Sequence, residues 1–263
     1  MPNMIVVTPD RNVHSKDFTG AFEPESQAFM RIVPGKHALI KFDASKSMST
    51  RRGQVFDALI QFKGLPYAGV AFFCHGWHNG IQAGVRLAQI PELVRLVCEA
   101  TTTGEAATDM LYVPLYCCST AAKGDVPEAA SETGGDGGFA DTMRDIFCLQ
   151  GKPWVRVYGH TTRGHTTMNS QVRVFEGKGS TIGGNGGEVL VRQPPPKNPL
   201  WPVWTAACAG KAPFDKGTMP QPAAWAAGRR SPAGTMDRKF LRFAAPFMTI
   251  AELHGVLAPT GVV

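Results

Sequence analysis

Short apolar runs alternate with amphipathic segments over the first 160 residues or so of the chain. The apolar runs are rich in Val, Leu, Ile and Phe and are closed by turn residues, which is the pattern of buried strands. The predicted strands cover residues 4–7, 37–42, 69–74, 110–116 and 154–158. Between them, apolar residues recur at helical spacing. The predicted helices cover residues 23–31, 50–61, 84–99 and 139–149.

This alternation of strands and helices favours βαβ units. We therefore predict an α/β fold of three layers, α-β-α, with a mostly parallel central sheet. Ser49 or Thr50 is expected to cap the second helix, because hydroxyl side chains accept hydrogen bonds from the first free amides. Pro91 falls inside the third predicted helix and is expected to split it.

The pattern becomes irregular after the fifth predicted strand. Residues 172–175 and 188–191 are predicted strands, and the glycine-rich stretch between them favours a hairpin. Residues 193–263 are rich in Pro, Ala and Trp and include a predicted final helix at 240–257. We therefore divide the chain into a domain of residues 1–192, hairpin included, and an irregular carboxyl-terminal extension that packs on the same domain.

Composition and charge remove several classes of partner. Of the 263 residues, 43% are hydrophobic, which is enough for one sizeable core. The net charge is +6, but the basic residues are scattered with no long run, so a nucleic-acid partner is not predicted. No apolar run is long enough for a membrane span, and no signal peptide is visible at residues 1–10. The six cysteines form no disulfide framework, which favours reduced thiols and a cytoplasmic location.

The strand at 110–116 leads into Cys117 and Cys118, after which the chain becomes small and polar. In open α/β sheets, catalytic groups collect at the carboxyl ends of the strands. Side chains alternate along a strand, so the two thiols are expected on opposite faces. Cys118 is the candidate nucleophile because it is nearer the strand end. Cys117 is expected to be a packed thiol, and the same inert role is the alternative for Cys118.

The strand at 69–74 ends in the same way, with His75 and Gly76 directly after it. A thiol and an imidazole at the ends of neighbouring strands are able to form a nucleophile–base pair. Gly76 permits close approach of the backbone to a substrate, and the amides after Cys118, beginning at Ser119, are candidate oxyanion donors. His78 is a second candidate base, although a loop histidine of structural role is the better interpretation.

Strand 154–158 is followed by His160, which is therefore expected on the same edge as His75 and Cys118 and predicted to line the substrate cleft. His75, His160 and His165 also suit zinc, so a zinc-dependent hydrolase is a less favoured alternative. No HExxH pattern supports that alternative, and no metal or cofactor is predicted. The chain has neither a GxSxG elbow nor a phosphate-binding GxxxxGK[ST] loop.

The sequence resembles the caspase-like (clan CD) cysteine peptidases, a superfamily that includes caspases, metacaspases, gingipains, separases and CHAT domains. The residues that carry the resemblance are Val70-Ala71-Phe72-Phe73-Cys74-His75-Gly76 and Leu115-Tyr116-Cys117-Cys118-Ser119-Thr120. It covers roughly residues 37–160. The resemblance implies a caspase-like sheet and a catalytic dyad of His75 as general acid–base and Cys118 as thiolate. It also implies oxyanion stabilisation by the amides of Gly76 and Cys118.

The predicted function is therefore thiol-dependent hydrolysis of peptide bonds in a peptide or protein substrate, with a protein partner as a candidate regulator. The alternative of a different class is a catalytically silent caspase-like module that binds a partner or scaffolds an assembly. The residue preferred before the scissile bond is not predicted. Asp10, Arg11, Asp43 and Arg51 follow early strands and offer charges of either sign.

Overall fold

A computed structural model describes residues 3–10, 22–32, 35–122, 137–160, 163 and 172–177 of the chain. These residues form an α/β fold with a mostly parallel, six-stranded central sheet. The strands of this sheet are β1 (Ile5–Pro9), β2 (Ala38–Phe42), β3 (Val70–Phe73), β7 (Leu111–Tyr116), β8 (Val155–His160) and β9 (Val172–Glu176). Their order is β2-β1-β3-β7-β8-β9, and β9 alone runs antiparallel to its neighbour. The α/β class and the parallel sheet confirm the sequence prediction.

Helices cover both faces of the sheet. Helices α2 (Met48–Ile60), α3 (Ile90–Glu99) and α4 (Phe139–Leu149) pack on what we call the three-helix face, where the largest apolar cluster lies. Helix α1 (Phe22–Ile32) packs on the opposite face, the α1 face. There the Phe29 ring meets the rings of Phe73 and Tyr116 at centroid distances of 5.6 and 6.0 Å. The predicted three-layer arrangement is therefore present in the described residues.

Strand alternation decides which residues belong to each face. In β3, Val70 and Phe72 join the cluster on the three-helix face, whereas Phe73 meets α1. In β7, Leu115 joins the same cluster, whereas Tyr116 meets α1. This two-residue period follows from the pleat of an extended chain, and it fixes the orientation of the residues that follow each strand.

The third predicted helix was wrong over its first six residues. Residues 76–86 form a small antiparallel sheet of β4 (Gly76–Trp77), β5 (Gly80–Ile81) and β6 (Val85–Arg86), followed by a 3₁₀ turn at Leu87–Gln89. Helix α3 begins only at Ile90, so Pro91 lies in its first turn and does not split it. Proline is well suited there because the missing amide would have no partner in a first turn.

The predicted cap of α2 was also displaced. The cap is Ser47, whose hydroxyl accepts a hydrogen bond from the Thr50 amide at 3.2 Å. Ser49 and Thr50 lie one and two residues inside the helix that they were expected to begin. Ser47, Ser49 and Thr50 are all suitable capping residues by type, and only the backbone geometry selects among them.

Several predicted elements lie outside the described residues. These are the strand at 188–191 and the extension at 193–263 with its helix at 240–257. Strand β9 is described, and it pairs with β8. Among the helices in the described ranges, none combines the length and hydropathy needed to cross a bilayer.

Candidate active site

The strand order creates a switch point between β1 and β3. The chain leaves β1 through α1 toward β2 on one side, and it leaves β3 toward β7 on the other side. Ligands of open α/β sheets bind in the crevice at the carboxyl ends of such diverging strands. The residues that follow β3 at this crevice include His75 and Gly76. The topology alone therefore selects the edge of the sheet at which the sequence motifs lie.

His75 extends from β3 onto the α1 face, where its ring meets the ring of Phe22 edge-on at a centroid distance of 4.9 Å. Its backbone is held by Gln82, whose side-chain oxygen accepts from the His75 amide at 3.2 Å. The Gln82 amide in turn donates to the His75 carbonyl at 2.8 Å. These contacts fix the position of the imidazole. The sequence analysis did not identify Phe22, because this contact joins segments far apart in the chain, or Gln82, because the short strands that bring it back to His75 had no recognisable pattern.

Cys117 is fully buried on the three-helix face, as the alternation predicts. Its sulfur lies 3.6 Å from the sulfur of Cys74 at the end of β3 and 3.5 Å from the carbonyl oxygen of Phe72. Burial raises the pKa of the Cys117 thiol well above its usual range, since a thiolate would lose its hydration there. Cys117 is therefore a packed, un-ionised thiol, which confirms that part of the prediction.

The contact between Cys74 and Cys117 continues the pairing register of β3 and β7. Phe73 pairs with Tyr116 in the parallel ladder, and the next residue of each strand is one of these cysteines. One step further, His75 follows Cys74 and Cys118 follows Cys117. Neighbouring strands lie about 4.8 Å apart. Continuing the register by one residue beyond this contact predicts that His75 and Cys118 are neighbours, with the α1 face as their common side.

Gly76 lies directly against the segment that carries the cysteines. A Cβ atom at this position would lie 2.7 Å from the Cβ of Cys117, 2.7 Å from the carbonyl oxygen of Cys118 and 2.9 Å from a methyl group of Thr120. Contacts this short with backbone atoms leave no room for a side chain. The glycine of the His-Gly motif thus permits the close approach of the two strand ends, in addition to any contact with a substrate.

Ser119 adopts a left-handed backbone conformation with φ +55°, and it is the one non-glycine residue with positive φ in the described part of the chain. Such a conformation costs about 1–2 kcal/mol in an L-residue. Hydrogen bonds around it hold the turn: Thr120 Oγ1 donates to the Cys117 carbonyl at 3.0 Å, and the Ala122 amide donates to Ser119 at 3.2 Å. Strained turns of this kind are common at functional sites.

Helix α4 ties the two motif-bearing loops together. The Phe139 amide at its start donates to the His78 carbonyl at 2.9 Å, and the Ala140 amide donates to the Thr120 carbonyl at 2.9 Å. His78 thus belongs to a structured hairpin loop that anchors the helix. The loop after His75 and the turn after Cys118 therefore share one rigid support.

His160 is the last residue of β8, so it lies at the same edge of the sheet as His75 and Cys118. Its backbone carbonyl accepts from the Ala121 amide at 2.9 Å. The side chain is only 2% exposed, and neither ring nitrogen has a hydrogen-bond partner among the described residues. Burial lowers the pKa of His160 to about 4, because the charged imidazolium would lose its hydration. Contact of His160 with a substrate stays a prediction.

The buried His160 predicts a specific loss of stability in acid. The unfolded chain takes up a proton near the usual pKa of about 6.5, whereas the folded protein resists protonation until about pH 4. Stability therefore falls between these limits as pH decreases, by about 3 kcal/mol for this group. Replacing His160 with Asn should flatten the pH dependence of the unfolding free energy between pH 6.5 and 4. Urea unfolding of both proteins across this range measures the difference. Parallel curves would contradict it.

The structure describes only two of the three histidines on which the zinc alternative depends. His165 lies outside them, whereas His75 and His160 lie inside. Within the part of the chain that the structure describes, no three His, Cys, Asp or Glu residues are grouped closely enough to hold a metal ion.

Comparison of the chain with protein-family models, with curated proteins and with solved structures finds no match. The functional interpretation consequently depends on the site itself.

Proposed function

We propose that this protein is a cysteine peptidase in which Cys118 is the nucleophile and His75 the general acid–base. The observation that carries the proposal is the register between β3 and β7. Cys74 and Cys117 are in contact on the three-helix face, and the next residue of each strand is His75 or Cys118. An imidazole and a thiol fixed beside each other at a strand edge suit nucleophilic catalysis.

The resemblance to caspase-like cysteine peptidases gives independent support. The motif order is an apolar strand with His-Gly, a helix, and an apolar strand with a cysteine. In the fold, these elements correspond to β3, α3 and β7, and the two strands are adjacent and parallel. Membership of that superfamily is part of the proposal.

The proposed reaction has two stages. His75 accepts the thiol proton, and the Cys118 thiolate attacks the carbonyl carbon of the scissile bond to form a C–S bond. The imidazolium then donates its proton to the leaving nitrogen as the C–N bond breaks, which leaves an acyl-enzyme. In the second stage, water gives a proton to His75 and attacks the acyl carbon. The C–S bond breaks, the carboxylic product leaves, and the thiol is restored.

The negative charge on the tetrahedral intermediate needs hydrogen-bond donors. The backbone amides of Gly76 and Cys118 are the proposed donors, since both lie where the two strand ends approach each other. The left-handed conformation of Ser119 turns the chain directly after the nucleophile. A rigid turn keeps such amides oriented before the reaction, which is how oxyanion stabilisation lowers a barrier.

A substoichiometric electrophilic peptide probe tests the proposal directly. Burial raises the pKa of Cys98 to about 12 and that of Cys148 to about 11, and it raises the pKa of Cys117 well above its usual range. These thiols are therefore poorly ionised at neutral pH and should react slowly. We expect mass-spectrometric mapping to find the probe on Cys118 first, and replacement of His75 by Ala to slow that labelling.

A peptide-library assay should accompany the labelling. Cleavage products together with labelling of Cys118 would support the peptidase. Labelling that is equal at all thiols, with no cleavage of any peptide, would overturn it and would favour the silent binding module.

A further inference from the structure

The end of β1 places a carboxylate beside the proposed base. Parallel pairing between β1 and β3 matches Ile5 with Val70 and Val7 with Phe72. Three residues further along each strand are Asp10 and His75. The Asp10 amide donates to the Phe42 carbonyl at 2.9 Å, so the ladder with β2 extends as far as this residue. Continuing the register therefore sets Asp10 level with His75 across the switch point.

The Asp10 side chain lies on the α1 face, as the imidazole does. Its carboxylate is 3.9 Å from the ammonium group of Lys41, which binds Glu23 of α1 at 2.7 Å. Glu23 therefore supplies the close partner of Lys41, since 3.9 Å exceeds the length of a hydrogen bond. The Asp10 side chain is 29% exposed and remains near the crevice. The two registers, continued beyond their last observed pairs, thus align Asp10, His75 and Cys118 in one row across three adjacent strands on one face.

From this row we infer that Asp10 is the positioning residue of His75, an inference that rests on the proposed function. Its carboxylate accepts a hydrogen bond from the ring nitrogen of His75 that faces away from Cys118. This hydrogen bond selects the tautomer whose other nitrogen takes the thiol proton, and the negative charge stabilises the imidazolium that results. Asp10 itself neither gains nor loses a proton and touches no substrate.

A nuclear magnetic resonance titration tests the coupling without any need for activity. The titration is done in a Cys118→Ala background, so that no thiolate contributes, and the His75 signal is assigned by its loss in His75→Gln. Asp10→Asn should lower the titration midpoint of His75 by about 1 unit, because a nearby opposite charge favours the protonated ring. The other ionisable groups on this side of the sheet are unchanged between variants: Lys41 on β2, Glu23 and Glu25 on α1, and the buried His160 on β8.

Asp43 provides the matched control. It lies one strand further from His75, because β2 pairs with β1 and Pro9 is matched with Phe42. Asp43→Asn removes the same charge, and its effect on the His75 midpoint should be below about 0.3 unit. Equal shifts in both variants, or no shift in Asp10→Asn, would overturn the inference.

Kinetics with the best library peptide give the second readout. Asp10→Asn should reduce kcat by about 10- to 100-fold with KM within about threefold, because a misoriented base slows the chemistry more than binding. The acid limb of the kcat profile should move in the same direction as the titration. A midpoint shift without any peptide cleavage would support the Asp10–His75 coupling and reject the peptidase. Peptide cleavage with an unchanged kcat in Asp10→Asn would support the peptidase and reject the Asp10–His75 coupling.

Discussion

Replacement of Cys118 with alanine is expected to abolish peptide hydrolysis, with kcat reduced by at least about 10⁴-fold. The substitution removes the thiol of the proposed pair and leaves the neighbouring buried thiol of Cys117 in place. Little stability should be lost, since Cys118 is only partly buried. Initial rates with a library peptide, compared at equal enzyme concentration, measure the effect. Full activity in this variant would remove Cys118 from the mechanism.

The adjacent cysteine is the matched control. Cys117→Ala removes the same atom one residue earlier, from a side chain that is fully buried against Cys74 and Phe72. It should retain activity and lose about 1 kcal/mol of stability, as expected for a small buried side chain. The two variants should therefore have opposite effects. Cys118→Ala loses catalytic rate and keeps stability, whereas Cys117→Ala keeps catalytic rate and loses stability.

The largest expected effect on stability comes from Arg144 on α4. This side chain is fully buried, and its guanidinium binds Asp141 at 2.5 Å and Asp145 at 2.6 Å. It also donates to the Glu176 carbonyl of β9 at 3.4 Å, which links the helix to the edge strand. Arg144→Leu leaves two largely buried carboxylates without their cation. The unfolding free energy should fall by about 3–5 kcal/mol, as measured by urea unfolding.

Arg95 on α3 is the matched surface control for Arg144, because it also pairs with two carboxylates. It pairs with Glu92 at 2.7 Å and also with Glu99, but its side chain is 45% exposed. Arg95→Leu should cost much less unfolding free energy than Arg144→Leu, because water screens the exposed pairs. Losses of similar size in the two variants would show that burial does not govern these ion pairs.

Much of the fold could be predicted because strands and helices here have strong local signals. Val70 to Phe73 is continuously apolar, and helices α1 and α4 have clear apolar stripes, so their bounds differ from the predictions by at most one residue. The small sheet after His75 had no such signal. Its strands are two residues long, too short for a period of two to be recognised. Its pairing depends on turns at Asn79 and Gly84, the latter with φ +86°.

The strands that end at the candidate site could be predicted from the sequence. Which residues lie beside each other across those strands could not. A strand end with His75 and another with Cys118 could be found from apolar runs alone. Their registration, and that of Asp10, depends on long-range pairing between β1, β3 and β7, which leaves no trace in local composition. The inclusion of His160 in β8 depends on its pairing with Val172, which extends the strand by two residues beyond the prediction.

The alternation along β7 also limits how this sequence is able to evolve. Cys117 is constrained by packing volume and Cys118, in the proposed mechanism, by reactivity, although they are adjacent in the chain. Inserting a single residue within the strand would exchange the two faces, because the side-chain period is two. The thiol at the site would then enter the core, and the core thiol would face the crevice. Insertions and deletions should therefore be purged from β3 and β7 and tolerated in the connections, so that divergence within these strands proceeds by substitution alone.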